Sequence, residues 1–219
     1  MARSTPPIPY RSETVTVRFE PALCIHTGNC IRGLPEVFNT QEKPWVHPQR
    51  ADADAIVATV GRCPSGALTT ERCDEGAEEK PDRAATAVIR PKGPLYLRGQ
   101  ITLELEDGSR REMIRLALCR CGASKNKPFC DNSHQEAGFN DLGSAQAMAE
   151  IPETVVLHTP VLLRPQRHGP VLFVGPLEIR TARGEVCFRG EKGALCRCGG
   201  SATKPFCDGA HNTNGFHSA

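Results

Sequence analysis

The sequence predicts a small α+β protein that is β-rich and built from metal-dependent domains. Three observations predict it. An internal repeat carries matched cysteines and histidines, strand-like alternation of apolar and polar residues precedes each copy, and eleven cysteines occur in 219 residues. Hydrophobic residues make up 39% of the chain and charged residues 24%, a globular rather than a disordered balance. A net charge of +2 is too mild for a nucleic-acid-binding face or a polybasic membrane patch. No apolar run approaches the roughly 18 residues of a membrane span. The opening MARSTPPIPYRSE has no apolar core of a secretory signal. The expectation is a cytoplasmic protein whose cysteines bind metal or do redox chemistry rather than form disulfides.

The repeat sets the organisation. Cys119–His134 reads CRCGASKNKPFCDNSH and Cys196–His211 reads CRCGGSATKPFCDGAH, with every Cys and His 77 residues from its counterpart. The flanks agree as well: Gly93-Pro94-Leu95 matches Gly169-Pro170-Val171, and Gly138-Phe139 matches Gly215-Phe216. The unit of repetition is therefore a subdomain and not a loop. Ile101, Leu103 and Leu105 alternate with Thr102, Glu104 and Glu106 before the hairpin signal Asp107-Gly108. In the second copy Leu177 and Ile179 alternate with Glu178 and Arg180 before a turn near Arg183-Gly184. Two β units this similar can pair about a pseudo-twofold axis within one chain. Ahead of the repeats, Thr14–Phe19 reads as a half-buried strand. Asp52–Val60 reads as a helix with an Ile56, Val57, Val60 stripe and Gly61 as its stop. The predicted organisation is a domain over residues 12–70, a charged linker over 71–85, one repeat over 86–140, a second linker over 141–152 with room for a short helix, and the other repeat over 153–219.

Each repeat offers three Cys and one His in the spacing C-x-C-x8-C-x3-H. Three thiolates and an imidazole can complete a [2Fe–2S] cluster or a tetrahedral zinc. Structural zinc usually takes C-x2–4-C knuckles, whereas one intervening residue suits two sulfurs on one iron of a larger cluster. On that reading Cys119 with Cys121, and Cys196 with Cys198, hold one iron. Cys130 with His134, and Cys207 with His211, hold the other, their i, i+4 spacing placing both on one face of a helical turn. Ser124 and Ser201 offer hydroxyls to cluster sulfur. Asp131 and Asp208 stand where a carboxylate bonds free backbone N–H groups. Gly122 and Gly199 permit close backbone approach, and Pro128 and Pro205 stiffen the return to the third Cys.

These residues resemble the CDGSH iron–sulfur signature (mitoNEET-like), C-x-C-x2-S/T-x3-P-x-C-D-G-S/A/T-H. The second copy matches throughout; the first has Asn132 where Gly is expected, and Asn is the residue that best tolerates positive φ in its place. The resemblance covers roughly residues 86–219. It implies a [2Fe–2S] cluster on three Cys and one His in each copy. It also implies that two motifs in one chain form an intramolecular pseudo-dimer, hence a monomer.

Near the N-terminus, Cys24-Ile-His-Thr-Gly-Asn-Cys30 is followed by Cys63-Pro64. This resembles a divergent single-cluster 4Fe–4S ferredoxin, with Pro35-Glu-Val-Phe38 and Cys63-Pro-Ser-Gly-Ala-Leu68 in keeping. Thr27 stands where the second cysteine ligand is expected, beside His26. Cys24, Cys30 and Cys63 suit a [3Fe–4S] cluster, or a [4Fe–4S] cluster with a fourth ligand from His26, Thr27, water or a partner. Cys187 and Trp45 and Tyr96 read as packing, Cys73 as a free thiol, and Arg110, Arg111 and Arg115 as a solvated face.

The function expected is electron transfer through two Cys3His [2Fe–2S] clusters and an N-terminal cluster. The alternative is iron or cluster delivery, or redox sensing, through labile His-ligated clusters. The partner expected is a redox protein or an apo iron–sulfur acceptor, with neither nucleic acid nor membrane. No nucleotide-binding glycine loop, nucleophile elbow or H-E-x-x-H occurs, so no enzyme activity is expected of the chain alone.

Overall fold

The computed structural model describes residues 6–145 and 160–218. The described residues divide into two compact units, one up to residue 80 and the other from residue 81 onward. In the first, β1 (Ile8–Arg11), β2 (Val15–Phe19) and β3 (Leu68–Arg72) form an antiparallel sheet in that order. The alternation read in the sequence buries Val15 and Val17 completely. Two helices cover the sheet's connection: α1 (Asn29–Gly33) and α2 (Ala53–Val60). The predicted helix forms, with Asp52 in extended conformation at its start, although its side chain makes no capping bond. Ile56 and Val60 enter a core with Val15, Val17, Val37, Phe38, Val46 and Leu68. The strand β1 precedes the expected boundary at residue 12. Residues 71–72, read as linker, continue β3, and the Cys73 N–H donates to the Thr14 carbonyl at 2.9 Å. Charge and missing periodicity hid a strand end whose neighbours are polar.

The second unit is one six-stranded sheet: β4 (Ala85–Ile89), β5 (Leu95–Glu104), β6 (Arg110–Leu118), β7 (Val161–Pro165), β8 (Val171–Arg180) and β9 (Val186–Leu195). Each repeat makes a three-stranded antiparallel meander. The meanders then exchange strands. β4 pairs in parallel with β8, Ala85 opposite Leu177, and β7 pairs in parallel with β5, Val161 opposite Ile101. The second pairing is the first with the repeats swapped. Both long strands shift register where the exchanged strand arrives, between Arg98 and Ile101 and between Val174 and Leu177. Gly99 and Gly175 sit there at φ 141° and 111°. A Cβ on Gly99 would stand 2.6 Å from Ala85 Cα, and one on Gly175 2.6 Å from the Pro160 carbonyl oxygen. Leu95, Leu97, Ile101 and Leu103 of the first repeat and Val161, Leu163, Phe173, Leu177 and Ile179 of the second are all buried.

Two expectations need correction. Arg115 is buried rather than on a solvated face, because β6 turns that position inward beside Arg98 of β5. The segment read as a linker from residue 141 begins anchored: Lys92 donates its backbone N–H to the Asp141 carbonyl at 2.6 Å. The short helix read within 141–152 falls mostly outside the described residues. Among those described, no helix is long and apolar enough to cross a membrane.

Candidate metal centres

β6 and β9 each end where a C-x-C pair begins, and the chain then folds back on the strand end. The Cys119 N–H donates to the Pro128 carbonyl at 2.9 Å and the Cys130 N–H to the Ala117 carbonyl at 2.8 Å. In the second copy the Cys196 N–H donates to Pro205 at 2.9 Å and the Cys207 N–H to Ala194 at 2.8 Å. These bonds carry the third Cys to the side of the first. Sγ of Cys119 and Cys121 are 3.6 Å apart, as are those of Cys196 and Cys198. Cys130 Sγ lies 3.5 Å from His134 Nδ1, and Cys207 Sγ 3.3 Å from His211 Nδ1. Two sulfurs bound to one tetrahedral metal at about 2.3 Å stand roughly 3.8 Å apart, and a sulfur and a nitrogen about 3.5 Å. Each pair is thus spaced to share one metal atom. The Cys–His pairs sit on turns, a 3-10 turn over Ala210–Asn212 in the second copy, and not on the face of an α-helix.

The donor set fits a cationic metal group. Burial pushes the Cys130 thiol up to about 12. Within the Cys119–Cys121 pair the hydrogen bond between the sulfurs raises Cys119, joined by burial, and lowers Cys121. Three thiolates so close and so dry need positive charge among them to persist. The backbone is arranged for thiolates: the N–H groups of Ala123, Asn132, Gly200 and Gly209 each lie 3.4 Å from the Sγ of Cys121, Cys130, Cys198 and Cys207 respectively. Burial lowers the His134 pKa, with Arg120 adding to it and Asp131 opposing it, so the imidazole is held neutral, as a ligand must be. Among the described residues, no three His, Cys, Asp or Glu side chains converge as around a single metal ion.

Asp131 does what its position suggested. It accepts from the Ser133 N–H at 3.0 Å and, across the loop, from Lys125 N–H at 2.8 Å; Asp208 repeats this with Ala210 and Ala202. Asn132 adopts φ 71° where Gly209 adopts 88°. The serines are placed differently from the expectation. Ser124 donates its hydroxyl to the Phe129 carbonyl at 2.7 Å and Ser201 to Phe206 at 2.7 Å, so both brace the loop instead of meeting cluster sulfur. Two arginines inside the C-x-C pairs were overlooked. Arg120 donates to the carbonyls of Gly93 (2.8 Å) and Arg90 (2.6 Å) and to Asp141 (2.7 Å). Arg197 donates to the carbonyls of Gly169 (2.8 Å) and Gln166 (2.5 Å). The matched Gly-Pro flanks were the signal that these carbonyls have a shared role.

The two centres adjoin. Cys121 and Cys198 pair as a β-bridge. Gly122 and Gly199, at φ 81° and 80°, lie so close to the opposite repeat that a Cβ on either would stand 2.5 Å from the carbonyl oxygen of Cys198 or Cys121.

In the N-terminal unit, Cys24, Cys30 and Cys63 line one cavity of about 560 Å³ together with His26, Thr27, Gly28, Ser65 and an aromatic wall of Tyr10, Phe19 and Trp45. The structure therefore brings together all three predicted cysteines. Burial raises the Cys24 and Cys30 thiols, and the mutual repulsion of the thiolates, Cys63 included, adds to it. Cys73 is exposed, and Cys187 is buried with its thiol on the Ile179 carbonyl.

Comparison with known proteins agrees with these sites. Residues 10–72 match the family described as divergent 4Fe–4S mono-cluster, and residues 92–135 and 168–212 each match the iron-binding zinc finger of CDGSH type. Two uncharacterised proteins named YjdI, from Escherichia coli K12 and O157:H7, are each 44% identical over 59 residues, 27% of this chain and 78% of the relative. No solved structure matches. The cysteine-bearing loops and these matches define an iron–sulfur cluster-binding protein. In chain order, a divergent 4Fe–4S mono-cluster domain is followed by two domains of the CDGSH iron-binding type.

Proposed function

We propose that the chain is an electron carrier holding a [2Fe–2S] cluster in each CDGSH repeat and a [4Fe–4S] or [3Fe–4S] cluster on Cys24, Cys30 and Cys63. Bound clusters supply reversible one-electron chemistry. The observation that carries the reading is the bridge between Cys121 and Cys198, which gives the two repeat pockets a common wall. The reciprocal strand exchange supports reading the repeats as an intramolecular pseudo-dimer and the chain as a monomer. Backbone N–H groups hold the thiolates, and His134 and His211 contribute neutral nitrogen to each site, which favours the reduced state. The N-terminal cluster exchanges electrons with the repeats or with a redox protein. The chain has no substrate chemistry of its own.

Anaerobic purification with iron and inorganic sulfide counts, followed by EPR of oxidised and reduced protein, tests this. Coloured protein with matched iron and sulfide is expected; colourless protein whose metal is zinc sinks the reading. Half-burial of His134 and His211 favours a second reading, release of clusters to an apo acceptor. Transfer to an apo-ferredoxin that outpaces electron exchange with a redox dye selects it.

A further inference from the structure

Each repeat buries one guanidinium inside its C-x-C pair: Arg120 is 4% exposed and Arg197 2%. Their settings correspond. Each donates Nε to the carbonyl of the repeated Gly-Pro flank and Nη2 to another carbonyl on the same turn, Arg90 in one copy and Gln166 in the other. Each lies over the ring of the repeated Gly-Phe flank, Arg120 5.2 Å from Phe139 and Arg197 5.6 Å from Phe216. The segments beyond those rings dock alike as well. Lys92 and His168, both at φ 52°, donate their backbone N–H groups to residues 141 and 218, which stand 77 positions apart like the repeated ligands.

The two settings differ in one partner. Arg120 Nη1 meets the Asp141 carboxylate at 2.7 Å, an ion pair whose side chains are 3% and 17% exposed. At the corresponding place Arg197 has Ser218, whose hydroxyl accepts the His168 N–H at 2.9 Å and donates to Glu106 at 3.4 Å. Among the described residues no carboxylate pairs with Arg197 directly. Glu106 is exposed, so water screens its charge. A second cation stands nearby instead, Lys127 of the first repeat, its Nζ 5.7 Å from the Phe216 ring on which Arg197 lies. Arg197 lines the crevice between the repeats together with Cys119, Arg120 and Cys196, so its charge bears on the ligands of both pockets. A buried cation without a counter-ion is costly by itself. A thiolate-held cluster supplies negative charge, and each electron it accepts adds more, in a dry setting where a fixed charge acts strongly. We propose that Arg197 is a redox-tuning residue: its uncompensated charge, left by Ser218 standing where the first repeat has Asp141, makes the repeat clusters easier to reduce.

The proposal rests on the repeats holding [2Fe–2S] clusters, and the experiment separates the two. Wild type, Ser218→Asp, Asp141→Ser and His217→Asp are prepared anaerobically as full chains. Each is titrated with dithionite while the [2Fe–2S] EPR signals are followed and iron is counted per chain. Wild-type protein without those signals overturns the cluster reading itself. With the signals present, Ser218→Asp is expected to keep its iron and to shift the titration to lower potential. Asp141→Ser, which removes the partner of Arg120, is expected to shift it higher. His217→Asp adds the same charge on an exposed neighbour and is expected to leave the titration in place. Should Ser218→Asp shed its clusters, the Asp141→Ser titration decides alone. Unmoved titrations in iron-replete Ser218→Asp and Asp141→Ser overturn the proposal and leave Arg197 a brace for the loop. A His217→Asp shift as large as that of Ser218→Asp overturns it too.

Discussion

Ser124 and Ser201 illustrate how much of each pocket is held by bonds that never reach the metal. The Ser124 hydroxyl donates to Phe129 and accepts from Asn126 N–H at 3.0 Å, tying both ends of the loop that carries Cys130. Ser124→Ala leaves a buried carbonyl unpaired, and a loss of about 1–3 kcal/mol is expected in chemical denaturation. The reduction potential should move little, since no bond to sulfur is removed. Gly122→Ala acts differently, because its Cβ would press on the Cys198 carbonyl while φ stays positive. It is expected to cost more than about 1 kcal/mol and to reduce cluster occupancy in both pockets, read from iron per chain. Exchanging the imidazole for thiolate, His134→Cys or His211→Cys, adds negative charge and should lower that cluster's potential in a redox titration. At this scale the sequence was highly legible. Eight of the eleven predicted ligands fall in two groups because C-x-C and C-x3-H spacings fix short loops by themselves, whereas Cys63 meets Cys24 and Cys30 only through the fold. Arg120, Arg197 and Asp141 were not legible, because their partners are backbone carbonyls or lie some twenty to thirty residues away in sequence.

Individual strands and helices show where pattern reading holds. β2, β5, β8 and α2 announced themselves by the period of their apolar residues, even though the polar Thr16 on β2 and Glu178 on β8 are buried as well. β4 (ATAVI) and β7 (VLLRP) offer little contrast between apolar and polar residues, and their places depend on the long-range pairing with β8 and β5. The β8–β9 ladder also contains a buried carboxylate. Glu178 is 5% exposed and accepts from Arg180 at 2.6 Å and Arg189 at 2.7 Å. Burial alone would raise its pKa, but the two guanidinium hydrogen bonds outweigh it and leave it below the ordinary 4.5. A depressed folded-state pKa contributes stability above the unfolded value and loses it as pH falls. Stability should therefore decline on acidification from about pH 4.5 downward. Glu178→Gln should flatten that part of the profile in a series of thermal melts. An unchanged acid limb would show that other carboxylates dominate.

For the whole chain, bound clusters would tie down the ligand loops as well as supply chemistry. Bound metal can supply roughly 10 kcal/mol in peptide models. Removing the clusters by acid-free chelation under reducing conditions is expected to lower the melting temperature of the repeats. An apo form that melts with the holo protein would count against any structural role. The repeat suggested two similar β units, but not the exchange of β4 and β7 between copies, because nothing within one copy says which β5-like strand it will join.

That exchange has an evolutionary and practical corollary. Each repeat completes its partner's sheet, so neither is a finished object by itself. Severing the chain between residues 146 and 159 should yield two fragments that find each other and restore colour only when mixed. A substitution that unseats β4 or β7 is therefore expected to weaken both halves together, read as parallel loss of strand pairing in each repeat by hydrogen exchange.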